Sequence, residues 1–312
     1  MNAIVSMFPN HSSLKSIRDG GYGSADFDIE TAYLYYFTDD DGTQLSSSKS
    51  VIYRTDTGAE LGVHGHGYTP VAPKKMIDVT RNIIERSGLN VDGIQETIRT
   101  SHDGSRTFVQ YKLPAHTYST SDGDTASLGL LAVSSFDGTW PFMISAAAIQ
   151  QACTNLQIFV GGEVAVFKSK HTRNLNIEVG ASVITKALDV FENQRELWAE
   201  WNKQYLTDFD AFKEIVSALN IESANNVMES IWPVSPESVM SKMPRSNPSL
   251  EYIYAAWHKY GKRFGQSRWA LYNAFTDWST HATAQRQDAI VNIASTQNTR
   301  QAVVQNYFSK VA

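Results

Sequence analysis

Only one cysteine, Cys153, occurs in the 312 residues, so an internal disulfide is impossible and a disulfide-stapled secreted fold is excluded. A basic segment followed by an apolar core is missing from the first residues, which points away from the secretory route and towards the cytoplasm. Long apolar runs are missing as well. Leu128 to Val133 is strand-sized, far short of the roughly 18 residues of a membrane span. There is no G-x-x-x-x-G-K-[ST] loop, no G-x-G-x-x-G after a strand and no G-x-S-x-G elbow, which removes the common ATPase, dinucleotide and α/β-hydrolase signatures. Binding or assembly is then at least as well supported as catalysis. No cofactor is implied.

Surplus charge is small too. A net charge of −5 argues against a protein that coats nucleic acid over its whole surface. The balance is uneven: residues 1–150 carry 17 acidic and 11 basic side chains, and the remainder 15 and 16. A polyanion site therefore belongs in the second half or in a local patch.

What is present reads as α+β: an antiparallel β-hairpin-rich N-terminal half with one or two packed helices, in a β-β-β-α-like order, then a mostly helical C-terminal half. Residues 1–50 hold Gly-, Asp- and Ser-rich stretches around "TAYLYYF", which predicts an irregular segment with one strand-like element. Residues 51–177 form the β-rich core. Within it, "APKKMIDVTRNIIERSG" predicts a helix, with Pro73 in its first turn, Met76, Ile77, Thr80, Ile83 and Ile84 on one face, and Gly88 closing it. Two hairpins centre on Asp103-Gly104 and Asp137-Gly138. A helix with small residues, Ala146 to Ala148 and Ala152, would follow and carry Cys153 as a packing residue. Residues 178–312 are helical by spacing, with Val183, Ala187, Leu188, Phe191, Trp198 and Trp201 on one stripe. The four prolines within 232–249 mark an interruption.

Three chemistries rest on particular residues. His64 and His66 in "HGHG" supply half of a metal site if extended, but no third ligand shows a recognisable spacing. Asp103 and Asp137 suit a two-metal nuclease, although hairpin turns already explain them. In "VFKSKHTR", Lys168, Lys170, His171 and Arg173 make a cationic stripe beside Phe167, spaced as a strand meets successive phosphates. Arg106 and Lys112 on the first hairpin are secondary candidates. "WHKYGKRFGQSRW" interleaves His258, Lys259, Lys262, Arg263 and Arg268 with Trp257, Tyr260, Phe264 and Trp269; this composition suits base stacking on an exposed face and core packing on a helix.

Several landmarks occur in order: "LGVHGHGYTPV", "SFDG", "ACTNL", "SKHT" and "RWALYNAFTDWSTHA". Together they resemble the phage/plasmid-like family of unknown function over roughly Leu61 to Ala282. The family's usual Arg before Cys-x-Asn is replaced here by Ile149, Gln150 and Gln151. The resemblance implies a phage- or plasmid-encoded protein of the bacterial cytoplasm, with no catalytic residues to transfer. The β-β-β-α-like order is also similar to the core of Red-beta/RecT-type single-strand annealing proteins, which implies single-stranded DNA as partner and a homo-oligomer, with no membrane contact. A host-interaction or anti-defence protein and a metal-dependent nuclease are the alternatives.

Overall fold

A computed structural model describes residues 11–38, 42–119, 125–150, 156–157, 166–172, 181–230, 235–282 and 300–311. The chain divides into two compact units, one built from residues 1–117, 127–146 and 165–188, the other from 118–126, 147–164 and 189–312. The α+β reading holds: antiparallel sheets occupy the N-terminal half and helices most of the C-terminal half.

In the first unit, β1 (Ile29–Phe37), β2 (Gln44–Arg54) and β3 (Glu60–Gly65) form an antiparallel sheet in that order. The stretch 1–50, expected to be irregular with one strand, thus contributes α1 (His11–Asp19), all of β1 and most of β2. Tyr, Phe and Leu in "TAYLYYF" satisfy strand propensity, and β2 supplies the backbone partners that the local composition does not reveal. Phe27, Ile52, Leu61 and Phe136 close a small core, with Ile29 and Tyr68 packed against it. Each such side chain contributes about 1.5–3 kcal/mol of burial free energy.

Helix α2 (Pro73–Arg86) forms as its spacing requires, burying Met76, Ile77, Thr80, Ile83 and Ile84. Gly88 follows in the left-handed region, φ +77°. This face also buries Arg81, which forks onto Glu96 of β4 (Gln95–Ser101) at 2.9 and 2.5 Å and donates to the Ile17 and Gly21 carbonyls. Burial opposes its charge, but the Glu96 carboxylate outweighs that and holds the guanidinium pKa above its ordinary value. One side chain therefore ties α2, β4, α1 and the segment after α1 together.

The second sheet runs β4, β5 (Arg106–Ser119), β6 (Thr125–Ser135), β7 (Phe142–Gln150), β8 (Leu156–Gln157), with β9 (Val166–Ser169) also paired to β7. Both expected hairpins are present. In the first, the left-handed residues are His102 and Asp103 as well as Gly104, so the turn is made by residues 102–105 rather than by an Asp-Gly pair alone.

The helix expected from Ala146 onward is corrected: residues 142–150 are a strand. Ala favours helix intrinsically, yet Ile144 to Ile149 are all buried between β6 on one side and β8 and β9 on the other. A run without a polar face suits a central strand, and tertiary pairing decides. Ala152 and Cys153 lie outside the described residues.

In the second unit, α3 (Ala181–Lys203), which begins in the first, is followed by α4 (Asp208–Leu219), α5 (Glu222–Ser230), α6 (Pro236–Lys242), α7 (Pro248–Phe264), α8 (Arg268–His281) and a last helix over 300–308. The caps are local chemistry. Thr207, Ser235, Asn247 and Ser267 each accept backbone N–H groups of the helix they precede, satisfying donors that a helix start leaves open. Two of the four prolines in the 232–249 interruption, Pro236 and Pro248, occupy first helical turns, so that stretch contains a short helix and starts another. Helix α8 is buried on every side, from Trp269 to Thr280, which makes it the centre of the helical packing.

Candidate functional site

Strand β3 leads into three stacked rings of the first unit. Tyr68 lies parallel to His64 at 3.9 Å and 9°, and against His171 at 4.9 Å and 25°. Each ring is fixed by a polar partner. Tyr68 donates to the Ser135 carbonyl at 2.8 Å, His64 Nε2 meets the Phe136 carbonyl, and His171 sits between the Thr69 carbonyl (3.3 Å) and the Ser134 hydroxyl (3.4 Å). Thr69 N–H donates back to the His171 carbonyl at 3.1 Å, and Tyr68 bridges Thr172, so the chain after β9 is strapped to the chain after β3.

This approach requires glycine at position 62. A Cβ there would lie 2.7 Å from the Phe136 carbonyl carbon and closer still to its oxygen. Burial pushes the Tyr68 phenol well up, aided by the Asp137 charge. Burial also lowers the His171 imidazole, the Thr69 carbonyl opposing it and His64 adding to it. The stack is therefore a hydrogen-bonded brace in which burial favours the neutral forms of Tyr68 and His171. Ser134 and His171 are 4% and 7% exposed, which closes this Ser–His pair to an outside substrate.

The residues expected to carry chemistry separate into distinct places. His171 does not face a phosphate; it is buried in the brace, because its two ring nitrogens find partners there. Arg106 is engaged as well: it donates to Asp137 at 2.6 Å and lies over the Trp140 ring at 5.6 Å. Asp137 in turn accepts from the Thr139 N–H and hydroxyl at 3.0 and 2.6 Å. Burial alone would raise its pKa, but these hydrogen bonds from Thr139 and Arg106 hold it below the usual carboxylate value. Asp137 is a turn-fixing residue.

Lys112 is half-buried and pairs with Gln95 at the other end of the first hairpin, about 20 Å along β5 from Arg106. Arg173 lies outside the described residues. Lys168, on β9 opposite Met143, and Lys170, just past the strand, are both exposed.

His64 and His66 do not converge, since His64 is held by Phe136 while His66 meets Tyr33 edge-on at 5.2 Å. Among the described residues no group of three or more His, Cys, Asp or Glu side chains is placed to hold a metal ion. The basic-aromatic run of α7 and α8 resolves as core: Trp257, Tyr260 and Trp269 are 1% exposed, because helical spacing turns the rings inward; Lys259, Lys262 and Arg263 stay outside, whereas Arg268 is largely buried against Glu214 at 2.7 Å. No base can stack there.

Sequence reasoning passes over the aromatics of β1. Tyr33, Tyr35, Tyr36 and Phe37 are 64%, 52%, 55% and 65% exposed. The signal that could have found them is a strand whose aromatics do not alternate with polar residues, so that both faces carry rings.

The fold and these groups define an α+β protein with an exposed lysine pair on one sheet edge, an exposed aromatic strand on another, and polar clusters that brace turns. The family described as "Domain of unknown function (DUF932)" matches residues 60–304. This chain belongs to that family. No curated protein and no solved structure matches it. No helix among the described residues is long and apolar enough to cross a membrane.

Proposed function

We propose that the protein is a phage- or plasmid-encoded accessory factor of DNA metabolism in the bacterial cytoplasm, which holds single-stranded DNA and anneals it as an oligomer without ATP and without covalent chemistry. The observation that carries this reading is the exposure of Lys168 and Lys170 at the end of β9. Among the described residues β9 is paired only to β7, and the exposed Lys168 and Lys170 side chains can reach a passing phosphate backbone. Of the other candidates, His171 and Arg106 are engaged in the fold, Lys112 is half-buried, and Arg173 lies outside the described residues. Edge lysines also discourage strand addition, and a binding measurement separates the two roles.

Fluorescence anisotropy with a labelled oligonucleotide at two salt concentrations is that measurement. Binding at low salt that weakens steeply as salt rises supports the proposal. Loss of the signal in Lys168→Ala/Lys170→Ala locates the contact. Lack of binding at low salt overturns the function, whereas binding that the double substitution leaves unchanged overturns only the site.

A further inference from the structure

The outer part of the β1–β2 hairpin extends beyond its sheet. Strand β3 pairs with Lys49 to Tyr53 of β2, whereas β1 and β2 continue together through Tyr35–Ser46, Tyr36–Leu45 and Phe37–Gln44. Among the described residues this arm has two strands. Tyr35 and Phe37 share one face, while Tyr36 and its partner Leu45 share the other; all four are exposed, Leu45 by 37%. Apolar side chains on both faces of a two-stranded ribbon gain nothing from water, and such ribbons are marginal unless covered.

Among the described residues β1 pairs with β2 alone. Strands in that position are normally blunted by Lys, Pro or a covering loop. Residues 29–37, "IETAYLYYF", contain no Lys, Arg, Pro or Gly and a single charge, Glu30.

We infer that β1 is a dimerisation strand: two copies of the chain add edge to edge, antiparallel about a two-fold axis near Tyr33, joining their three-stranded sheets into one of six. Four features select a second copy as the occupant. Antiparallel pairing about Tyr33 sets Glu30 against Tyr36 of the second copy and keeps the two Glu30 carboxylates about 20 Å apart; parallel pairing in register would place them directly opposite. A two-fold operator is closed, so the contact ends at a dimer and forms no fibre. With roughly 200 Å² per ring, the exposed portions of Tyr33, Tyr35, Tyr36 and Phe37 come to about 500 Å² per copy. Two copies give about 1,000 Å², where specific interfaces begin. A polyanion is disfavoured, because β1 carries no cation and the residues joining it to β2 include Asp39, Asp40 and Asp41 in sequence.

The test is independent of DNA. Light scattering coupled to gel filtration, run over a dilution series without nucleic acid, gives a dimer for the wild-type chain. Tyr35→Lys/Phe37→Lys alters only exposed side chains, so it keeps the far-ultraviolet circular dichroism of the parent while its dimer dissociation constant rises about a hundredfold. In a Cys153→Ser background, Tyr33→Cys forms an intermolecular disulfide under mild oxidation, because position 33 meets itself across the axis. Glu30→Cys in the same background does not. A wild-type chain that stays monomeric at its highest attainable concentration overturns the inference, as does a dimer indifferent to the lysine substitutions or a cross-link favouring position 30.

Discussion

Replacing Gly62 by alanine adds one methyl group where β3 passes the turn between β6 and β7. The new Cβ would stand 2.7 Å from the Phe136 carbonyl carbon, well inside the ordinary contact distance of about 3.5–4.0 Å. Both obstructing atoms belong to backbone, so no rotamer change relieves the clash. Either β3 lifts away or the turn is displaced. Both movements separate His64 from the Phe136 carbonyl, loosen Tyr68 from the Ser135 carbonyl and open the Phe27–Ile52–Leu61–Phe136 core.

Overpacking of this kind costs about 1–3 kcal/mol, and the loss of two constrained hydrogen bonds, at roughly 1 kcal/mol each, places the total near 3 kcal/mol. Urea denaturation followed by tyrosine and tryptophan fluorescence measures it: the midpoint falls while the slope stays constant. Gly62→Ala within about 0.5 kcal/mol of wild type, a threshold set by ordinary surface substitutions, would refute the close approach and with it the brace.

Other perturbations follow from the same physics. Arg81→Met leaves the Glu96 carboxylate buried without its fork and costs about 3–5 kcal/mol; Arg81→Met/Glu96→Leu recovers most of that, as removal of both charges avoids the desolvation penalty, and equal losses in the single and double variants would contradict it. His171 is neutral in the fold with a lowered pKa, so the unfolded chain takes up the proton first, near its ordinary value of about 6.5. Stability is then greatest above that pH and declines below it until the folded imidazole also protonates. His171→Gln should flatten the decline between about pH 7 and 5.5, and an unchanged slope would exclude His171 as its source. Asp137, lowered in the fold, acts in a separate window: its contribution is present above its unfolded value of about 3.9 and disappears as pH falls through the folded one. Asp137→Ala therefore removes part of the loss seen below about pH 4, which acid titration by circular dichroism would detect.

Helices and hairpins are legible in the sequence wherever local signals agree. Pro73, the Met76–Ile84 face and Gly88 specify α2 without help from elsewhere. The run at Ala146 misleads because helix propensity is a property of the segment alone, while strand β7 is stabilised by pairing with β6, β8 and β9. The first strand is undervalued for the same reason: Asp- and Ser-rich flanks read as loop, yet β1 and β2 pair across them.

For the site, sequence spacing groups Lys168, Lys170 and His171 correctly along the chain but cannot say that His171 turns inward. That outcome depends on Tyr68, Thr69 and Ser134, which lie at least 37 residues away. Arg106 is misread for a parallel reason, since its partner Asp137 sits on the neighbouring hairpin turn. Charge composition alone does not tell a free cation from a paired one.

The salt slope of single-stranded DNA binding is the decisive measurement for the proposed function. Each phosphate neutralised on a single strand contributes about −0.7 to the slope of log K against log salt. Substituting both Lys168 and Lys170 by alanine should make that slope shallower by roughly 1.4 while the fold is unchanged. No binding by the wild-type chain at low salt would contradict the function, and a slope identical in the two proteins would contradict the lysine site.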